Sequence, residues 1–407
     1  MKNDALKDRL SRHRGHIVPS GKNETQSRPP EAYSRLAEEL GGRILTNFAG
    51  SFCVVRKTYP FTYVHGDTAL ADVAGESSWP MSAFSVEEIS ATVSPSGLLF
   101  VDTETTGLGG AGAVAFLIGC GLVVSTGFEV RQYLIPDYSD ETAMLEALLE
   151  EFSADRSLVT YNGAAFDLPL MRDRMIINRV AREIAYDRHI DLLHPARRLF
   201  RRRLADCTLT NIERELLGFF RQDDIPGYLI PSVYFEWLSE RNANGLAGVL
   251  EHNRLDIISM YFLAGRIAEI YRHEGRTLTH TDDLHSLSRV YGRRRKTAKV
   301  VELYQRMNQD SEAALAEDIL WYHSVALKRT GETQKALDIW SGLAQNDSRE
   351  GYLANLELSK YFEHRLKDFK TALQHARAAR SSPDLTDSRR RQLDNRIKRL
   401  RSRLGHG

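Results

Sequence analysis

Asp102 and Glu104 stand two residues apart at the end of a short apolar run, residues 98–102. In an extended strand, side chains at i and i+2 point to the same face. Two carboxylates that close repel each other unless a cation sits between them. Hard divalent ions such as Mg²⁺ prefer such oxygen ligands. Two more acids close distinctive strings downstream. Asp167 ends Tyr161-Asn162-Gly163-Ala164-Ala165-Phe166-Asp167, and Asp256 ends His252-Asn253-Arg254-Leu255-Asp256. An imidazole near an acidic, metal-holding cluster has the right pKa range to take a proton from water.

The elements around these residues alternate strand and helix signals from residue 96 to 275, which predicts an α/β domain. A strand over 98–102 carries the first pair, and strands over 115–124 and 129–134 follow. A helix is expected over 141–152, a strand over 158–161 and a helix over 168–178. Helices dominate from about 191 to 271, so His252 and Asp256 fall on one. Ahead of this domain, residues 1–30 read as a disordered basic leader and 31–95 as a small β-rich extension. Behind it, no strand pattern survives over 276–382. Val300, Ala336 and Ala372 recur at a 36-residue interval, close to the period of tetratricopeptide repeats, whose helix pairs bury their apolar faces by stacking. Such surfaces bind peptides or helices, so a protein partner is expected there. On this division, a chain cut at about residue 280 would still cleave short substrates. Residues 383–407 form a basic helix or tail in which Leu393, Ile397, Leu400 and Leu404 keep helical spacing.

The first string, residues 102–108 (DTETTGL), resembles the first motif of the DEDD, or DnaQ-like, 3′→5′ exonucleases. The strings ending at Asp167 and Asp256 resemble their second and third motifs, in the same order. A closer likeness is to the YprB-like ribonuclease H-like family of bacteria. It rests on the glycine-rich stretch 107–121, Asp191-Leu192-Leu193, residues 208–217 (TLTNIERELL), Asp224-Ile225-Pro226-Gly227 and the HNRLDI string, and it covers about residues 40–275. The resemblance implies an RNase H-like mixed sheet flanked by helices, then an all-α repeat region. It also implies two Mg²⁺ or Mn²⁺ ions held by Asp102, Glu104, Asp167 and Asp256, with His252 as general base. The substrate would be the 3′ end of single-stranded DNA or RNA, contacted by Thr105, Asn162 and Phe166. Asn162 could instead only shape its turn, and Phe166 could be core. The third motif departs from pattern in one respect: a histidine stands where the spacing calls for tyrosine, so its aim can differ from either family base. Asp191 reads as a supporting carboxylate or a helix cap. Arg197, Arg198, Arg201, Arg202 and Arg203 read as a solvated helix face or a phosphate track.

Composition narrows the alternatives. The chain has 407 residues and a net charge of +1, so bulk charge does not make it a polycation. Cys53, Cys120 and Cys207 are far apart, which argues against a zinc site or a disulfide framework. No GxGxxG opens a helix. The 14-residue run 111–124 is too short to span a bilayer and no export signal is evident, so a cytoplasmic protein with no membrane partner is expected. A structure-directed endonuclease on the same fold, or an inert adaptor built on the repeats, are the competing functions.

Overall fold

A computed structural model describes residues 30–107, 112–310, 314–382 and 385–405. The leader expected over 1–30 lies almost wholly outside them. A hairpin of β1 (Arg43–Asn47) and β2 (Gly50–Pro60) precedes β3 (Leu98–Thr105), β4 (Ala115–Val124), β5 (Gly127–Leu134), β6 (Ser157–Thr160) and β7 (His189–Asp191). These seven strands make one sheet in the order β1-β2-β5-β4-β3-β6-β7. The first five in that order pair antiparallel with one another, and β6 and β7 run parallel to β3. The hairpin is therefore an edge of the main sheet: β2 pairs with β5 from Cys53↔Leu134 to Pro60↔Gly127.

β3 explains why its sequence is apolar without alternation until residue 102. Leu98 and Phe100 enter one core, while Leu99 and Val101 enter the other. A central strand covered on both faces reads as a continuous hydrophobic run. On one face lie α1 (Pro30–Glu39), α2 (Glu141–Leu148), α3 (Asp167–Ile177) and α5 (Ile230–Glu240). On the other lies α4 (Leu193–Phe200). The 27-residue α6 (Leu246–Arg272) serves both: Val249 and Leu250 join the first core, and Ile257 through Tyr271 join the second. The turn between those two apolar stretches carries His252, Asn253 and Asp256. α6 can lie this close to β4 because Gly119 and Gly121 have no side chain. A Cβ at Gly119 would stand 2.2 Å from Asn253 Oδ1, and one at Gly121 would stand 2.3 Å from Ile257 Cγ2. The glycines after the first motif thus include two that admit a packed helix.

From α7 onward every element is helical: α7 (Thr281–Arg293), α8 (Thr297–Asp310), α9 (Glu317–Thr330), α10 (Thr333–Leu343), α11 (Arg349–Tyr361), α12 (Phe369–Arg380) and α13 (Asp387–Leu404). Each packs on the next, and Val300, Ala336 and Ala372 are all buried at these contacts. In α13, Leu393 and Leu400 are buried, and Arg396 and Arg399 pair with Glu363. Among the described residues, no helix is long and apolar enough to cross a membrane.

The arginine run of α4 and its end divides: Arg197 and Arg201 are exposed, as a solvated face would have them, whereas Arg198, Arg202 and Arg203 are engaged. Arg202 pairs with Asp282 and Asp318, Arg203 with Asp283, and Arg198 donates to the Ser85 and Phe84 carbonyls. The contacts of Arg202 and Arg203 staple the α/β part to α7 and α9. The apolar core is also continuous across that junction, from Phe100 through Tyr261 and Leu287 to Trp340. Cutting the chain at residue 280 would expose the partners of Leu284, Leu287, Val290 and Tyr291. Each lost large side chain costs about 2–5 kcal/mol. The truncated protein is therefore expected to melt well below the full chain, or to aggregate, in a thermal scan. An unchanged melting temperature for the fragment would show that the α/β part is independent after all.

Candidate active site

β3 delivers Asp102 and Glu104 where the strand emerges from between its two cores. A register shift between Glu104 and Thr105 breaks the β3–β4 ladder at that point, a common device for re-aiming side chains at strand ends. Asp167 arrives on the first turn of α3, where its Oδ1 accepts the Thr103 hydroxyl at 2.5 Å. Asp256 arrives from α6. Asp102 feels the charges of Asp256, Glu104 and Asp167, and Glu104 those of Asp256, Asp167 and Asp224. Each of the four acids named from the sequence is thus within electrostatic reach of at least two of the others.

Burial is the largest influence on three of them. It holds the Asp102 and Glu104 carboxyls well above the usual range, and repulsion from the other acids adds to it. Asp167 is pushed up to about 6 by burial, against the Thr103 hydrogen bond that favours its ionised form. A site with this much strained negative charge suits a divalent cation, and its donors are all the hard oxygens that Mg²⁺ and Mn²⁺ take. Among the described residues, however, no three acidic, histidine or cysteine side chains already stand in the arrangement of a metal site.

Several contacts position these acids. Asn253 donates through Nδ2 to Asp102 Oδ2 at 2.8 Å, while its Oδ1 accepts from Gln132 Nε2 at 2.9 Å. Gln132 also donates to the Leu250 carbonyl at 2.7 Å, so a buried chain from β5 through α6 fixes Asp102. His252 Nδ1 lies 2.8 Å from Asp224 Oδ1, and its Nε2 lies 3.8 Å from Asp256 Oδ2. A carboxylate only accepts, so the shorter Asp224 contact favours a proton on Nδ1 in the neutral ring, while Arg221 Nη1, which only donates, stands 3.4 Å from the same nitrogen. Arg221 joins Asp256, Asp224 and Glu213 in one buried network.

The remaining candidates divide. Asp191 accepts the backbone N–H groups of Asn162 at 2.8 Å, Ala164 at 3.1 Å and Leu193 at 3.1 Å. It therefore both takes the first amide of α4, whose N-cap is Leu192, and ties down the loop that leads to Asp167. Asn162 sits at φ 66°, the left-handed region that asparagine tolerates best among non-glycines. Phe116 is core, stacked on Tyr234 at 4.2 Å. Phe166 is not: it is 57% exposed at the start of α3, next to Asp167. The Thr105 hydroxyl donates to the Gly107 carbonyl at 2.7 Å and so closes the end of β3. Sequence reasoning passed over Arg221, Asn253, Glu213 and the role of Asp224. The strings containing Asp224 and Asn253 were visible, but nothing in them said which side chains face the cluster.

A pH prediction follows from Asp167. Its folded pKa is raised, so the native state favours the protonated acid. That contribution is complete below about pH 4, the ordinary carboxylate range, and disappears as pH rises through about 6. Without metal, Asp167→Asn is expected to match the wild type in stability near pH 4 and to exceed it near pH 7 by on the order of 2 kcal/mol. Urea melts at the two pH values measure this. A wild type that gains on the variant as pH rises would mean that the Asp167 carboxylate is stabilised, not strained.

Comparison with known proteins agrees with this geometry. Residues 99–268 match the RNase_H superfamily. The uncharacterized protein YprB of Bacillus subtilis (strain 168) is 31% identical over 365 residues, spanning 87% of each chain. The seven-stranded mixed sheet, the acids at the end of its central strand and this likeness over most of the length agree, and the chain belongs to the YprB family of RNase H-like proteins.

Proposed function

We propose that the protein is a divalent-metal-dependent nuclease that removes nucleotides from the 3′ end of single-stranded DNA or RNA. The observation that carries this reading is the meeting of Asp102, Glu104, Asp167 and Asp256 beside His252. Asp102, Glu104 and Asp167 would hold the metal, with Asp256 beside them; when bound, a divalent ion activates water and stabilises the leaving oxygen. His252 takes the proton of the attacking water at Nε2, while Asp224 holds the ring from the other side. Asn253 keeps the Asp102 carboxylate aimed into the cleft. Phe166, and Phe220 beside Arg221, are exposed rings on which unpaired bases can stack. The helix pairs after residue 280 have the spacing of tetratricopeptide repeats, and a peptide or helical segment of another protein is the occupant that such a surface suits.

End-labelled single-stranded DNA and RNA, each with a free or a blocked 3′ end, test the reading with Mg²⁺, Mn²⁺ or EDTA. Stepwise shortening from the free 3′ end, lost on blocking and in EDTA, is expected. Internal cutting of the blocked strand would make the protein an endonuclease. No cutting of either with either ion would leave the inert-adaptor reading.

A further inference from the structure

Arg221 is a deeply enclosed cation at the site. Its side chain is 3% exposed, and its guanidinium touches carboxylates on separate segments. Nε and Nη2 grip both oxygens of the fully buried Glu213, at 2.7 and 2.6 Å. Nη1 donates to Asp224 at 3.1 Å, and Nη2 also reaches Asp256 Oδ1. The second oxygen of Asp256 faces His252 Nε2. The segment bearing Arg221 is itself held in place. Phe219 stacks on His65 at 3.9 Å, and His65 Nε2 is 2.9 Å from the Ser259 hydroxyl on α6. A guanidinium so placed neither loses its proton nor swings away without stranding Glu213. It is a permanent positive charge in contact with one of the four acids that the family likeness assigns to metal.

We infer that Arg221 is a built-in counter-ion at Asp256 and takes the place of one metal ion there. Without substrate, the cleft then binds a single divalent ion through Asp102, Glu104 and Asp167, where the sequence led to two. This rests on the metal-dependent reading given above. One feature supports it: Asp256 is the member of the set in contact with a cation of the protein itself. A second divalent ion at Asp256 would meet the guanidinium at contact distance in a buried setting, where like charges repel strongly.

The test is the number of Mn²⁺ ions bound by the full chain without nucleic acid, counted by the paramagnetic resonance of free Mn²⁺ and by calorimetry. The variants are Arg221→Lys, Arg221→Gln and Asp102→Asn. One ion per chain is expected for the wild type and for Arg221→Lys, which keeps the charge. Arg221→Gln, which removes the charge, should bind a second ion about tenfold or more tighter than the wild type does. Asp102→Asn should weaken the single ion about tenfold or more. Two ions in the wild type, or an Arg221→Gln protein that stays folded by circular dichroism and gains no second ion, would overturn the inference while leaving the metal-dependent reading intact. If Arg221→Gln fails to fold, the counts for the wild type and Arg221→Lys decide alone. Mn²⁺ binding that is absent, or indifferent to Asp102→Asn, would instead bring down the metal-dependent reading, and this inference with it.

Discussion

Asp102→Ala is expected to abolish phosphodiester cleavage, lowering turnover by about a thousandfold or more, on the scale of losing a central electrostatic group of a site. The folded protein should survive. Asp102 is half-buried beside Asp256, Glu104 and Asp167, which all oppose its ionisation, so the substitution relieves repulsion. What it removes is the acceptor for Asn253 Nδ2, and the Asp102 backbone carbonyl, 3.3 Å from the same atom, still offers one. The net stability change should therefore fall within about 1–2 kcal/mol of zero, whereas activity falls by orders of magnitude. Circular dichroism and a thermal melt, set beside single-turnover cleavage of an end-labelled oligonucleotide, separate the two effects. Asp102→Asn, which keeps the acceptor oxygen, should lose activity equally. A folded Asp102→Ala protein that retained a tenth of wild-type cleavage would mean that the reaction does not run through this cluster.

The elements were legible because their physics is local. β3 reads from its apolar run, and β4 and β5 fall within two residues of where the pattern set them. α3 reads from its spacing, beginning at Asp167. The four acids were legible through motif order, and His252 through its position four residues before Asp256. What stayed hidden is whatever depends on which surfaces meet. Nothing in residues 31–95 says that β2 will pair with β5, because an edge strand carries no mark of its partner. The arginines beside α4 look like a polar face in one dimension. Their acidic partners on α7 and α9 are about 80 to 116 residues away, so only the tertiary fold makes them an interface. Arg221 is the sharpest case: among other charges its sequence is unremarked, yet it ends beneath the cluster because Phe219 and His65 anchor its segment to α6.

His252→Ala is expected to lower turnover by about 10²–10⁴, the range for loss of a general base, while the affinity for Mn²⁺ stays near that of the wild type. The geometry supports both halves. Nδ1 is committed to Asp224 at 2.8 Å, so the nitrogen available for chemistry is Nε2, which points toward Asp256 and the cluster. One turn of α6 separates His252 from Asp256, which places both on the same face at the spacing where the family has tyrosine. His252→Tyr is the informative companion. If the position only demands a hydrogen-bonding ring, tyrosine should restore a large part of the lost turnover. If the shorter imidazole is needed because Asp224 holds it from behind, tyrosine should not fit that contact, and activity should stay low. Asp224→Asn should fall between the wild type and His252→Ala, since it removes the charge that orients the ring but leaves the ring in place. Near-wild-type turnover in His252→Ala, with metal binding intact, would move the proton-accepting role away from this histidine, and the Asp224 contact would then be a device for packing α6 against the loop that carries Arg221.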